Sequence, residues 1–198
     1  VKKIVFKTSK HLIPLFKNSE FESVTFLSDA VDESEEFDFQ VSLLALPEKL
    51  KISKTDDVSY KDKYLTATKE KVELYKKKFF DNDYTKVGIV WSGMPGHIND
   101  KNRSVSLSLF YDLAKIKNVK LYSLQKGYGE EQLSDIPKDI EIIGVGNTFN
   151  DFSDTAAAIE NCDYVVSVDT AVAHLGGALG KPTWILIPFV PDWRWFLK

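Results

Sequence analysis

From residue 86 onward, short apolar runs alternate with segments of helical character, and this alternation constrains the fold more than any other feature. The runs VGIV, YVVSV and WILI are apolar at consecutive positions, which is typical of parallel strands covered on both faces. Strands that alternate with helices predict an α/β fold with a Rossmann-like, doubly wound parallel sheet. The predicted strands are residues 87–91, 120–124, 141–145, 164–168 and 183–187, and the predicted helices are residues 106–116, 152–161 and 170–179.

The first third of the chain is also α/β-like, but it is less regular. KIVFK at residues 3–7 and VTFL at residues 24–27 predict two short strands. The connection between them is irregular or helical, because Pro14 interrupts it. The apolar run at residues 37–46, which ends at Pro47, predicts one further strand.

A polar stretch then separates two parts of the chain. Residues 49–63 carry many charges and little periodicity, as a linker does. We therefore expect a partial, smaller α/β segment over residues 1–66 and a Rossmann-like domain over residues 67–198. The second part opens with a predicted helix at residues 68–80, for which Thr68 is the candidate N-cap.

Composition excludes several classes of protein. The 198 residues include 26 Lys and Arg against 29 Asp and Glu, so a net charge of -3 offers no general attraction for nucleic acid. The longest apolar stretch, residues 183–190, is far shorter than the roughly 18 residues that would span a membrane. The single cysteine, Cys162, excludes an internal disulfide and fits a reducing compartment, so we expect a cytoplasmic protein.

Both ends of the chain predict that it is an excised part of a longer protein. It opens directly on the strand-like KKIVF and closes on the apolar PDWRWF. Trp193 and Trp195, on either side of Arg194, predict a contact that joins two domains, with stacking on a base or a sugar as the alternative.

Open parallel sheets bind ligands beyond the carboxyl ends of their strands, which directs attention to the residues after each predicted strand. After YVVSV, Asp169 is the candidate N-cap of a helix that continues through Thr170 and Ala171. His174 follows Thr170 by four positions, so both side chains lie near the helix start on one face. A phosphate or diphosphate would be attracted there, although a capped helix with a packed histidine explains the same pattern.

Two other strand ends carry candidate ligand groups. Ser92 and Gly93 begin a glycine-bearing turn after VGIVW, but neither the GxGxxG nor the GxxxxGK[ST] signature is present. Lys101 and Arg103 follow, and Arg103 is either a bidentate clamp for a diphosphate or a surface arginine. Gln125 is a contact for ribose or base, or an amide that fixes its own loop. No metal-ligand motif accompanies them.

Taken together, VGIVWSGMPGHINDKNRS, the SLQKG turn and the stretch from DFSDTAAAIENCDYVVSVDTAVAHL to the aromatic end resemble glycosyltransferase family 9. This heptosyltransferase-like domain ends many bacterial TPR-containing proteins. The resemblance covers residues 86–197, and SLLALP at residues 42–47 extends it weakly toward the N-terminus.

The resemblance implies a GT-B architecture, in which two Rossmann-like domains face a cleft and the C-terminal one holds a nucleotide sugar without a metal or other cofactor. The residues that it places around the donor are Ser92, Gly93, Lys101, Arg103, Asp169, Thr170, Ala171 and His174 near the diphosphate, and Gln125 near the nucleoside. Such enzymes invert the anomeric centre with a base from the N-terminal domain. We expect only part of that domain here and name no catalytic base.

The leading hypothesis is therefore transfer of a sugar from a nucleotide diphosphate to a glycan, a lipid-linked sugar or a protein, by a fragment that can be inactive alone. The TPR context makes a protein acceptor a fold-level analogy. One alternative is a non-catalytic interaction module of a TPR protein that keeps the fold. Another is a nucleotide-sugar epimerase, for which the sequence shows no catalytic carboxylates.

Overall fold

The computed structural model describes residues 3–19, 21, 23–28, 37–54, 57, 62–192 and 195. The strands in these ranges are β1 (Ile4–Lys7), β2 (Val24–Leu27), β3 (Thr85–Val90), β4 (Val119–Ser123), β5 (Ile142–Gly144), β6 (Tyr164–Val168) and β7 (Thr183–Leu186). Five of them form one parallel sheet in the order β5-β4-β3-β6-β7. The predicted doubly wound parallel sheet is confirmed, and each predicted strand of this sheet lies within two residues of its observed bounds.

Helices cover both faces of this sheet. Those described are α1 (Ile13–Lys17), α2 (Leu46–Lys49), α3 (Lys69–Tyr75), α4 (Asp100–Arg103), α5 (Tyr111–Ala114), α6 (Phe152–Asn161) and α7 (Ala171–Ala178), with a π-helical turn at Lys76–Phe80. The core on one face joins the sheet to α3, α6 and α7. The core on the other face joins it to α5 and to the 3-10 turn Leu107–Phe110. Burial on both faces explains why the strands are apolar at consecutive positions.

Strands β1 and β2 form a separate, two-stranded parallel sheet, with α1 as the connection between them. Four phenylalanines, Phe6, Phe16, Phe21 and Phe26, pack edge to face or tilted around this unit. Leu15 of α1 is buried in the core of the larger sheet. Phe152 donates its backbone N–H to the carbonyl of His11 at 3.0 Å, which also fixes α1 against the start of α6.

The strand predicted at residues 37–46 is wrong. The segment has no strand; it contains a 3-10 turn at Leu43–Ala45 that runs into α2, and Pro47 lies in the first turn of that helix rather than ending an element. Phe39 and Leu44 are 95% and 89% exposed. An apolar run becomes a strand only where a neighbouring strand pairs with it, and the described chain offers this segment none.

The helix predicted at residues 68–80 is confirmed as α3 and the π-helical turn that follows it. Thr68 occupies the predicted N-cap position, but its side chain accepts no capping hydrogen bond. Instead, Lys71 fixes α3 to α6: its ammonium group donates to Ser153 Oγ and to Asp154 Oδ1, each at 2.6 Å. Burial alone raises the pKa of Asp154, but hydrogen bonds from Lys71 and Asn150 outweigh it and lower the pKa below 3.8.

We expect Lys71→Met to lower the free energy of unfolding at neutral pH by about 1–3 kcal/mol, because buried Asp154 then loses its charged partner. The pKa of Asp154 is lower in the folded protein than its ordinary 3.8, so this stabilisation is complete above pH 3.8. It disappears as the pH falls through the lower, folded pKa. Urea unfolding of both proteins, at steps of roughly one pH unit from about pH 2.5 to about pH 7, measures the difference between their free energies of unfolding.

The matched control for this experiment is Lys77→Met, which removes an exposed lysine of the adjacent π-helical turn. That lysine forms no hydrogen bond or ion pair with any residue that the structure describes. A loss in Lys77→Met as large as that in Lys71→Met, or a Lys71→Met loss that persists at the acid end, would contradict the assignment of the effect to Asp154.

Candidate functional site

The carboxyl ends of β3 and β6 lie side by side at the centre of the sheet, where the strand order reverses direction. The chain leaves β3 toward β4 on one side and leaves β6 toward β7 on the other. Loops that diverge from such a point leave a crevice between them, which is where open α/β sheets bind ligands. Of the predicted site residues, Gly93, Arg103 and Asp169 come together here.

Arg103 is held over the loop that follows β3. Its Nε donates to Asp100 Oδ1 at 3.2 Å, and its side chain is 13% exposed. Ser104 reinforces the loop, because its Oγ donates to the same Asp100 oxygen at 3.0 Å and accepts from Gly93 N at 2.9 Å. The guanidinium is thus fixed by contacts within its own loop before any ligand is considered.

Gly93 is a glycine because Arg103 lies against it. A Cβ added at Gly93 would lie 2.5 Å from Arg103 Nη2, 2.7 Å from Nε and 2.6 Å from Asp100 Oδ1. Real side chains do not approach so closely, so any larger residue must displace the guanidinium. In the same loop a Cβ at Gly96 would meet nothing within 4 Å. The constraint is therefore specific to the glycine under the arginine.

One hydrogen bond joins the two halves of the predicted site. Arg103 Nη1 donates to the backbone carbonyl of Asp169 at 3.0 Å, across 66 positions of sequence. In the part of the chain that the structure describes, Nη2 donates to no protein acceptor. The arginine therefore sits beside the start of α7 with donors still available.

The predicted N-cap at Asp169 is wrong, since Thr170 is the N-cap of α7 and has extended backbone angles of φ -138 and ψ 172. Asp169 precedes it as a buried residue, and none of the described side chains donates to its carboxylate. The Thr170 side chain does not cap the helix either, because its hydroxyl is 3.0 Å from Ser167 Oγ. Composition at a helix start cannot decide which of two adjacent capping residues has the extended backbone.

The first backbone N–H groups of α7 are consequently open. Ala173 and His174 donate to the carbonyl of Thr170 at 3.1 and 3.5 Å. Ala171 and Val172 have no acceptor among the residues that the structure describes. Two unpaired N–H groups at a helix start, beside a guanidinium, form a region of positive potential that suits an anion.

His174 lies on an exposed side of α7, where its imidazole stacks on the indole of Trp195 with ring centroids 4.6 Å apart and planes inclined by 14°. Trp195 therefore contacts a predicted site residue, and the predicted contact between two domains stays a prediction. Its predicted companions Trp193 and Arg194 lie outside the described residues.

The Gln125 amide forms hydrogen bonds with backbone groups of its own loop and of the loop after β3. Its Oε1 accepts from the N–H groups of Trp91 and Ser92 at 3.2 and 3.1 Å, and its Nε2 donates to the carbonyls of Ser92 and Tyr128 at 3.0 and 2.7 Å. Both donor hydrogens of the amide are in use, and the side chain is buried. Of the two alternatives left by the sequence, the amide that fixes its loop is the one with observed contacts.

Lys101 does not contact the other predicted site residues. It is exposed on α4 and forms no hydrogen bond or ion pair with any residue in the described ranges. Conversely, Asp100, Ser104 and Ser167 contribute contacts that the sequence analysis did not single out. The spacing of Asp100 and Arg103, three positions apart on a helical turn, is the signal that could have identified the first of them.

Within the described ranges, no three His, Cys, Asp or Glu side chains are gathered as a metal site would require. None of the described helices combines the length and the apolar character needed to cross a membrane.

No protein-family model matches the chain, and comparison with curated protein sequences finds no relative. Among solved structures, the fold is similar to that of ADP-heptose LPS heptosyltransferase II from E. coli, with a TM-score of 0.51 and 15% sequence identity. The match covers 66% of this chain and 41% of the heptosyltransferase chain, so this chain spans less than half of that protein's length. At this level of identity the similarity shows a shared heptosyltransferase-like α/β fold.

Proposed function

We propose that this chain is the donor-binding part of a glycosyltransferase and that it binds the diphosphate of a nucleotide sugar where β3 and β6 end. The observation that carries the proposal is the hydrogen bond from Arg103 to the carbonyl of Asp169, which brings a guanidinium to the open start of α7. The similarity of fold to a heptosyltransferase supports the proposal, and a TPR region in the full-length protein belongs to it as an expectation.

The chemistry of sugar transfer explains what these groups would do. Negative charge grows on the nucleotide diphosphate as the bond to the sugar breaks, and donors already aimed at it lower the barrier. Arg103 Nη2 and the N–H groups of Ala171 and Val172, which have no acceptor among the described residues, are such donors. They provide positive potential without a metal ion. Inversion requires a base on the acceptor hydroxyl, and we assign that base to no residue of this chain.

The other residues take roles that follow from their surroundings. Ser92 and Gly93 would form the wall of the diphosphate pocket, with Gln125 behind them. The Asp169 carboxylate, close to a bound diphosphate, suits sugar hydroxyls better than phosphate oxygens, because like charges repel. His174 would face the ligand only by adjusting its stack on Trp195. The acceptor, whether a glycan, a lipid-linked sugar or a protein, would approach from outside this chain.

A second candidate is a non-catalytic interaction module. The exposed apolar side chains between residues 37 and 50, with Phe39 and Leu44 foremost, favour it, because apolar patches of this kind often mark contact surfaces. Such a module would have no need of open donors at the start of α7. Nucleotide binding therefore separates the two candidates.

Calorimetric titration with ADP, UDP and GDP tests the proposal, and we expect one of them to bind. Arg103→Met should weaken the binding of that nucleotide by roughly 10- to 150-fold, which is the equivalent of one or two charge-assisted hydrogen bonds. The matched control is Lys117→Met, which removes one positive charge from an exposed residue before β4, at the opposite edge of the sheet. Equal losses in both variants would indicate a general charge effect, and no binding by the wild type would favour the interaction module.

A further inference from the structure

The N-cap of α7 has a hydroxyl that does not cap. Thr170 has the extended backbone of an N-cap residue, and threonine at this position normally accepts from the second or third N–H of the helix. Its Oγ1 accepts from neither, and lies instead 3.0 Å from Ser167 Oγ. Something other than local preference therefore sets the direction of this side chain.

Ser167 determines that direction. It is fully buried on β6, and its Oγ donates to the carbonyl of Val168 at 2.7 Å. A serine hydroxyl has one proton, so in its pair with Thr170 it accepts and the threonine donates. The result is a short chain of hydrogen bonds from Thr170 through Ser167 to the backbone of β6. Burial of Ser167 removes water as a competing partner and strengthens the chain.

We propose that Ser167 is a positioning residue, which holds the Thr170 hydroxyl away from the start of α7 and so leaves the Val172 N–H open for the ligand. This inference rests on the proposed function, because the ligand it concerns is the diphosphate. A second observation points to a ligand at the same place: Asp169, beside this N-cap, is 7% exposed, and its carboxylate receives no hydrogen bond from the described residues, which leaves it available to a sugar hydroxyl of the same ligand. A helix start that capped itself would present one donor fewer to a diphosphate.

Removing the serine hydroxyl should release the threonine. In Ser167→Ala, the Thr170 side chain has no partner on β6 and can rotate to cap the Val172 N–H. The ligand must then displace this cap, which corresponds to a loss of affinity between roughly 2-fold and 30-fold. Adding Thr170→Val replaces the hydroxyl with a methyl group of similar shape and so abolishes the cap. The loss of affinity that Ser167→Ala causes through this cap should then disappear.

Hydrogen exchange of the Val172 amide, followed by NMR without any ligand, tests the internal part of the proposal. We expect fast exchange in the wild type, slower exchange in Ser167→Ala, and fast exchange again in the Ser167→Ala, Thr170→Val double variant. A purely structural role for Ser167 would loosen the region and speed exchange in Ser167→Ala. Unchanged or faster exchange in that variant would overturn the proposal.

Titration of the same proteins with ADP tests the link to the ligand. We expect Ser167→Ala to bind ADP more weakly than the wild type, and the double variant to bind it as Thr170→Val does. An equal loss from Ser167→Ala in the wild-type and Thr170→Val backgrounds would overturn the proposal, because the serine would then not act through the threonine. If the wild type binds no nucleotide while the exchange pattern is as expected, the proposed function is wrong. The positioning of the Thr170 hydroxyl by Ser167 is then still supported.

Discussion

Gln125→Leu is expected to lower the free energy of unfolding by on the order of 4 kcal/mol, since each buried backbone group left unpaired costs about 1–3 kcal/mol. Leucine has a similar size but no polar atoms. It would leave the N–H groups of Trp91 and Ser92, and the carbonyls of Ser92 and Tyr128, without the partners that they now have. Water that enters the loop would satisfy some of these groups, so the expected loss is near the lower end of what four unpaired groups would cost.

Thermal unfolding measures this effect, and a loss of that size in a chain of 198 residues corresponds to a fall in Tm of roughly 8–16 °C. The matched control is Gln132→Leu. Among the described residues, the Gln132 side chain accepts one hydrogen bond, from Leu107 N at 2.9 Å, so about 1 kcal/mol is expected. If the two variants unfold at the same temperature, the four contacts of Gln125 do not hold the loop as argued.

Gly93→Ala is expected to weaken nucleotide binding by about 200-fold or more, while the protein stays folded. A methyl group at Gly93 would take the place of the guanidinium, which is the mobile end of a long side chain, and would also press on Asp100 Oδ1. Arg103 would then lose its bond to the Asp169 carbonyl and enter the space that the diphosphate needs. The loss therefore exceeds that in Arg103→Met, where the loop and the start of α7 remain in place.

Gly96→Ala is the control for this variant, because a Cβ there meets nothing within 4 Å in the same loop. Circular dichroism and calorimetric titration of both proteins separate folding from binding. Wild-type affinity in Gly93→Ala would show that the position of Arg103 is irrelevant to the ligand. Unfolding of Gly93→Ala would show that the loop is too rigid for the guanidinium to move.

The strands and helices of the larger sheet could be predicted because their signals are local. A strand covered on both faces is apolar at consecutive positions, as Val165 and Val166 are, and the predicted bounds of β6 are the observed ones, Tyr164–Val168. The predicted bounds of the helix at Phe152–Asn161 also agree with the observed ones. The start of this helix is a local signal, because Asp151 accepts a capping hydrogen bond from Ser153 N at 2.7 Å. Residues 37–46 carry a similar apolar signal without a partner strand, and the prediction there failed.

The sequence by itself determined the α/β class, the order of strands and helices along the chain, and the edge of the sheet where polar residues gather. Only the tertiary structure decided which of those residues meet. The bond between Arg103 and Asp169 spans 66 positions, and the contact of Gln125 with Ser92 spans 33. Periodicity and capping preference act over one or two turns, whereas these contacts depend on which strands are neighbours. That order left Gln125 with its loop and brought Arg103 to the start of α7.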